Sequence, residues 1–324
     1  MHSIEFYRNE FISYLTSKTV SKEPLNLYTP ITYILGLGGK RLRPTLVLMA
    51  TEVFGTDYRK ALDAALAIEV FHNFSLVHDD IMDDAPLRRG KETVHEKWDI
   101  NTGILSGDAM LINAYQLFEN YDGQMFRNLA QLFSKTAIEV CEGQQYDVDF
   151  ETRDDVTQLE YLKMIEYKTA VLVAAALKMG AIIAEAPEEQ QQSIYDFGRY
   201  LGIAFQLQDD YLDAFGDPET FGKQVGGDII ENKKTYLYLK AMELGSDEEK
   251  KALSDMFSIH PDDPSGKIEQ IKKIFRQTGA AGETTMAIET YTQKAFEVLE
   301  KLAVSDEKKG ILEKFGKGLM VRRV

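Results

Sequence analysis

A single cysteine, Cys141, stands in a chain of 324 residues, so no intramolecular disulfide can form. A lone thiol of this kind reads as a buried apolar side chain in a reducing compartment. Proline is scarce, at eight residues, which leaves long helices uninterrupted. Basic residues number 37 against 52 acidic ones, for a formal net charge of -15. That balance argues against nucleic acid as a partner, because a phosphate backbone needs a basic face. The opening MHSIEFYRNEF lacks a basic start followed by an apolar run, and no apolar run is long enough to span a bilayer. The expectation is a cytoplasmic protein with no signal peptide and no integral membrane segment.

What the chain does have is helical periodicity. Hydrophobic residues make up 44%, enough for a large core. Residues 61–77 carry Leu62, Leu66, Ile68, Val70, Phe71, Phe74 and Val77. They are apolar on most sides, as in a centrally buried helix. Similar runs cover roughly 104–118, 129–142, 159–185, 194–215 and 287–302. No Asn-Gly or Asp-Gly hairpin signal lies between alternating apolar segments, and the flanks of Asp122-Gly123 read as helix. Breaks are short: 21–30, 85–90, 186–187, 216–227 and 260–266. None has the length of an interdomain linker. The expected fold is all-α, a single domain over residues 1–324, with about ten or more helices around a central cavity.

Two aspartate clusters dominate the functional reading. The first is Asp79-Asp80-Ile81-Met82-Asp83, with Asp84 following; the second is Asp209-Asp210-Tyr211-Leu212-Asp213. At about 3.6 residues per turn, Asp79 and Asp83 share one helix face, and so do Asp209 and Asp213. Like charges at that spacing destabilise a helix, and adjacent apolar residues worsen the cost. Hard divalent cations relieve it, and magnesium suits carboxylates combined with phosphate oxygens. One such cluster could be a solvated helix end. Two, about 130 residues apart, suggest helices facing each other across a cavity that holds metal and diphosphate.

Basic residues flank these clusters: Arg88-Arg89-Gly90, Lys223 with Lys233-Lys234, and the run Gly38-Gly39-Lys40-Arg41-Leu42-Arg43-Pro44. In an acidic chain they read as phosphate clamps, arginine through its planar fork and lysine as a point charge. Residues 36–40 and 216–223 fail the phosphate-loop spacing, and His95-Glu96 lacks a second histidine at zinc-protease spacing.

The blocks GGKRLRP, LVHDDIMDDAPLRRG, YKTA, FQLQDDYLDAFGD and GGDIIENKKTY together resemble the trans-type isoprenyl diphosphate synthases, which include the farnesyl and geranylgeranyl diphosphate synthases. The likeness runs from about Gly38 to Tyr238. It implies an all-α homodimer that uses three magnesium ions, with manganese as a substitute. By the resemblance, Asp79 and Asp83 hold two ions and Asp209 the third, supported by Asp80, Asp210 and Asp213. Arg88, Lys168, Lys223 and Lys233 contact the allylic diphosphate. Lys40, Arg43, His72 and Arg89 form the isopentenyl diphosphate site, and Arg322 and Arg323 fold over it. Thr169 and Gln206 present oxygen dipoles to an allylic cation. The implied reaction is ionisation of the allylic diphosphate, condensation with isopentenyl diphosphate, then proton loss.

The resemblance also implies that bulky side chains on the helix before Asp79 set the chain length. Phe74 lies five residues earlier, about 7.5 Å along the axis, and Phe71 about 12 Å. Phe74 can block a tunnel beside the small Ser75, and the first cluster has no two-residue insertion. The reading is a product of fifteen to twenty carbons, geranylgeranyl diphosphate favoured. The rival readings are a terpene cyclase of the same fold, a silent regulatory subunit of a prenyl synthase and a metal-dependent phosphohydrolase. Intact aspartates in both clusters argue against the first two.

Overall fold

The computed structural model describes residues 1–217 and 225–320. Among the described residues the regular elements are all helices apart from one two-stranded hairpin, so the all-α expectation holds. The chain forms two compact units: residues 1–136 with 175–195, and residues 137–174 with 196–324.

In the first unit, helices α1 (Ile4–Lys18), α2 (Leu25–Gly36) and α3 (Leu42–Val53) lead to α4 (Leu62–Met82). Ser3 caps α1 by accepting a hydrogen bond from the Phe6 N–H. Nearly every side chain of α4 from Ala64 to Phe74 is buried, which explains an apolar sequence with little amphipathic bias. The carbonyl of Asp79 accepts from the Asp83 N–H at 2.9 Å, so the last turn of α4 carries the first aspartate cluster. A short turn, α5 (Val94–Lys97), then precedes α6 (Ile100–Gln116), which packs along α4. Phe71 meets Phe133 edge to face at 5.1 Å, and Phe118 meets the same ring at 5.1 Å. Each such buried ring contributes about 1.5–3 kcal/mol of transfer free energy.

The second unit begins within α7 (Gly123–Thr152) and includes α8 (Gln158–Ile165), a π-turn at Glu166–Ala170 and the start of α9 (Val171–Ile183). Thr157 and Glu160 close a capping box on α8. Most of α10 (Glu188–Phe215) follows, then shorter helices at Tyr236–Leu244, Asp247–Met256, Ser265–Gln277, Ala280–Glu300 and Asp306–Met320. Their core holds Ile165, Ile203, Leu207, Leu237, Leu253, Ile271 and Phe275.

Three details differ from the sequence reading. Cys141 is exposed rather than buried, because it lies on the outer side of α7 beside the buried Val140. The break expected over 21–30 ends at Pro24, and α2 runs through Pro30 on the strength of its buried face, Ile31, Ile34 and Leu35. Residues 87–92 form a hairpin, Leu87–Arg88 pairing with Lys91–Glu92. Its turn is Arg89-Gly90, both at positive φ (54° and 73°), so the primed turn forms without the Asn-Gly or Asp-Gly signal. No helix among the described residues is long and apolar enough to cross a membrane.

Candidate active site

In the first unit the site grows from the end of α4. Asp80 is buried, and its Oδ1 accepts from Arg88 Nε at 2.7 Å. Arg88 Nη2 also reaches Asp79 Oδ2 at 3.5 Å. Burial raises the Asp80 pKa against the pull of Arg88. The other oxygen, Asp80 Oδ2, is buried with no protein hydrogen-bond partner. A desolvated carboxylate oxygen of this kind fits a cation or its bound water. Asp83 is exposed one turn beyond Asp79. Sequence reasoning aimed Arg88 at a diphosphate; here its guanidinium lies on the carboxylates themselves.

A second basic group lies in the same unit. Arg43 donates from Nη1 to His72 Nε2 at 3.1 Å, so that ring nitrogen carries no proton. Desolvation and the charges of Arg43, Arg89, Arg88 and Arg41 hold the His72 pKa well below its ordinary value. Arg43 Nε is buried without a partner, a donor suited to an anion. Arg89 donates from Nη1 to the Gly38 carbonyl. A Cβ on Gly39 would come within 2.8 Å of the Arg89 guanidinium carbon and displace it, and the φ of 116° at this position favours glycine in its own right. The loop before Lys40 is thereby tied to the Arg88-Arg89 hairpin. Lys40 itself is exposed.

Phe74 is 8% exposed and Phe71 1%. Their rings lie 5.5 Å apart, and Phe74 meets His78 at 4.8 Å. Ser75 Oγ donates to the His72 carbonyl at 2.9 Å. The expected blocking aromatics therefore belong to a packed aromatic cluster.

In the second unit, Lys168, Thr169, Gln206, Asp209, Asp210, Asp213 and Lys233 line one cavity of about 240 Å³. The π-turn and two glycines explain how. A Cβ on Gly143 would stand 2.2 Å from the Lys168 nitrogen, and one on Gly202 would stand 2.7 Å from the Ala170 Cα. These close approaches press Glu166–Ala170 between α7 and α10. Lys168 Nζ then donates to Asp147 Oδ2 at 2.5 Å, and Thr169 Oγ1 donates to Gln206 Oε1 at 3.2 Å. Gln206 Nε2 donates to Asp210 Oδ1 at 3.0 Å, and the Tyr161 hydroxyl donates to Asp210 Oδ2. With its amide donor facing a carboxylate, Gln206 turns its carbonyl toward Thr169.

The cavity is crowded with negative charge. Burial, then Asp209 and Asp213, push Asp210 up to about 7. Burial, then Asp213 and Asp210, push Asp228 up to about 8. The Asp228 N–H donates to Asp213 Oδ2 at 3.0 Å. Burial opposes the charge on Lys233, but its bond to Glu231 and the carboxylates of Asp228 and Asp147 hold its pKa above the ordinary value. Carboxylates that resist ionising together match the donor set of a divalent oxygen-binding cation.

Asp147, Tyr161 and Asp228 were not singled out in the sequence. Asp228 sits inside the GGDIIENKKTY block, which is the signal that could have found it. Asp147 and Tyr161 gain their roles only through packing. Lys223, Arg322 and Arg323 lie outside the described residues.

The polyprenyl synthetase family matches residues 24–276. A geranylgeranyl diphosphate synthase of Methanosarcina mazei is 44% identical over 224 residues, 68% of this chain and 69% of its own. A short chain isoprenyl diphosphate synthase of Methanothermobacter thermautotrophicus is 38% identical over 303 residues, covering 93% of this chain and 90% of its own. A crystal structure of a geranylgeranyl pyrophosphate synthase superimposes with a TM-score of 0.96 at 57% identity, covering 100% of both chains. One from Pyrococcus horikoshii gives 0.91 at 33% identity, covering 99% and 97%. The family match spans most of the sequence and includes both aspartate clusters, so the chain belongs to the polyprenyl synthetase family.

Proposed function

We propose that this protein is a prenyltransferase that condenses isopentenyl diphosphate with an allylic diphosphate, and that its main product is geranylgeranyl diphosphate. The observation that carries the reading is the cavity of the second unit. It combines Lys168 and Lys233 for a diphosphate, Asp209, Asp210, Asp213 and Asp228 for cations, and the Thr169–Gln206 oxygens for a carbocation, with no nucleophile required. Relatives of 38% to 44% identity named as isoprenyl and geranylgeranyl diphosphate synthases support it.

The family holds diphosphate through divalent metal, and we assign magnesium, three ions when substrate is bound, with Asp79, Asp83 and Asp209 as main ligands. Magnesium held by these carboxylates would supply positive charge to offset that of the departing diphosphate. Arg88, Lys168 and Lys233 add to that stabilisation as the allylic carbon–oxygen bond breaks and its electron pair leaves with diphosphate. The oxygens of Thr169 and Gln206 face the cation. The double bond of isopentenyl diphosphate supplies the pair for the new carbon–carbon bond, held through Lys40, Arg43, His72 and Arg89. A proton is then lost from the adjacent carbon to the released diphosphate, so no side-chain base is needed. Phe74 limits the growing tail.

We further assign a single catalytic domain, supported by the uninterrupted family match. A homodimer is supported by the exposed apolar face of α6, formed by Ile100, Ile104, Leu105 and Ile112. A cytoplasmic setting suits the exposed free thiol of Cys141.

The test is product analysis with magnesium, labelled isopentenyl diphosphate and one allylic primer per tube: dimethylallyl, geranyl or farnesyl diphosphate. Label in longer prenyl diphosphates, lost with chelator, supports the reading. No incorporation with any primer overturns it.

A further inference from the structure

A second cluster of metal-binding character lies just beyond the first aspartates, on residues that the prenyl-transfer reading leaves unused. One carboxylate oxygen of Asp84, one ring nitrogen of His95 and one carboxylate oxygen of Glu96 lie within 4.8 Å of one another. Acidic groups at a surface often gather without a ligand. His95 is different. It is 7% exposed, and both of its ring nitrogens are buried without a protein hydrogen-bond partner. Its Nε2 points at Glu96 Oε1, 3.8 Å away. An imidazole rarely accepts burial with both nitrogens unsatisfied.

We infer that Asp84, His95 and Glu96 form a binding site for a transition-metal dication of the zinc or cobalt type. The donor set selects the ion. Imidazole nitrogen suits zinc, cobalt or nickel, whereas magnesium prefers oxygen alone. Bonds of about 2.1 Å in a tetrahedral site put ligand atoms about 3.4 Å apart. Closing from within 4.8 Å to that value falls to the two exposed carboxylates, whose side chains can turn while burial fixes His95. Three protein ligands leave one position for water.

Position gives the site a role. Asp84 follows the last turn of α4 at φ 48°, and His95 and Glu96 lie in α5. Between them runs the hairpin that carries Arg88 and Arg89, closed at its base by the Thr93 N–H bond to the Pro86 carbonyl at 3.2 Å. A metal on these three side chains clasps that base.

The test is cobalt binding to the full chain with excess magnesium and no substrate, read by visible d–d absorption and by equilibrium dialysis. Because no turnover is measured, the outcome is independent of the prenyl-transfer reading. The expected result is one tightly held cobalt per chain and a higher melting temperature with cobalt. His95→Asn, and separately the double variant Asp84→Asn with Glu96→Gln, should lose that ion or bind it at least about tenfold more weakly. The double variant changes only exposed carboxylates, and asparagine tolerates the left-handed backbone at position 84, so folding is preserved. Wild-type and variant proteins that take up equal cobalt, or a wild type that takes up none in excess magnesium, would overturn the site.

Discussion

The buried ammonium of Lys267 donates to the side-chain oxygen of Asn232, the residue immediately before Lys233. Lys267 is 5% exposed and also donates to the Ile259 carbonyl at 3.0 Å. Asn232 holds positive φ, 58°, so its side chain and backbone together set the direction of the Lys233 loop. Replacing Lys267 by methionine leaves two acceptors without a donor, at a cost of about 1–3 kcal/mol each. As a positioning residue, Lys267 should affect diphosphate binding through Lys233. Steady-state kinetics of Lys267→Met should show a raised KM for the allylic diphosphate and a smaller change for isopentenyl diphosphate. Equal changes in both would mean that Lys267 only holds the fold.

Tyr161→Phe removes one donor from the buried Asp210 and leaves the ring in place. The expected loss is about 1.5–3 kcal/mol of stability, the usual range for a bond to a charged group. With Asp210 loosened, Gln206 loses its fixed amide orientation, so kcat should fall while KM for isopentenyl diphosphate holds. Urea denaturation and kinetics on one preparation check both effects. An unchanged midpoint with unchanged kcat would remove Tyr161 from the site.

Magnesium should raise the melting temperature, because it relieves repulsion among Asp209, Asp210, Asp213 and Asp228. At a free concentration about 100 times its Kd, the gain is about 2.7 kcal/mol. Asp209→Asn should blunt that gain and lower kcat on the order of 10²–10³-fold, the scale of one lost electrostatic stabiliser. Thermal melts with and without chelator measure the first effect and turnover the second. A variant that melts and turns over like the wild type would refute the assignment.

Phe74→Ala should lengthen the product, since a packed ring gives way to space below Ser75. The same change costs about 3–5 kcal/mol, so assays belong well below the new melting temperature. Chromatography of the dephosphorylated products decides. An unchanged ladder would show that Phe74 serves packing alone.

His72 gives a pH signature. Its native pKa lies below that of the unfolded chain, about 6.5. Its stabilising effect is therefore complete above about pH 6.5. As pH falls further, the unfolded chain takes the proton first, and stability is lost until the native pKa is reached. Between about pH 7.5 and pH 5.5, the wild type should lose up to about 1.4 kcal/mol more than His72→Gln. Parallel denaturation curves for the two proteins would contradict this.

Much of this was legible in one dimension, and the exceptions have physical causes. Apolar periodicity marked α4 and α10, because buried helices write their burial into every turn. The aspartates announced themselves through a spacing that is costly unless cations are present. The Arg89-Gly90 hairpin escaped notice because an arginine rarely takes positive φ, and nothing local to its sequence says that it will. Asp147 was invisible for a different reason: its link to Lys168 is made by Gly143, a contact between segments about twenty residues apart. Cys141 was misplaced because composition says nothing about which side of a helix faces out.

The π-turn at Glu166–Ala170 has a further implication. Removing one residue there would let α8 run into α9 as an ordinary helix with a more regular hydrogen-bond ladder. The shortened chain would lose the register that turns Lys168 to Asp147 and Thr169 to Gln206. Breeding this protein for heat resistance alone would therefore favour deletions at this spot, and the winners of such a screen would be sturdy and idle.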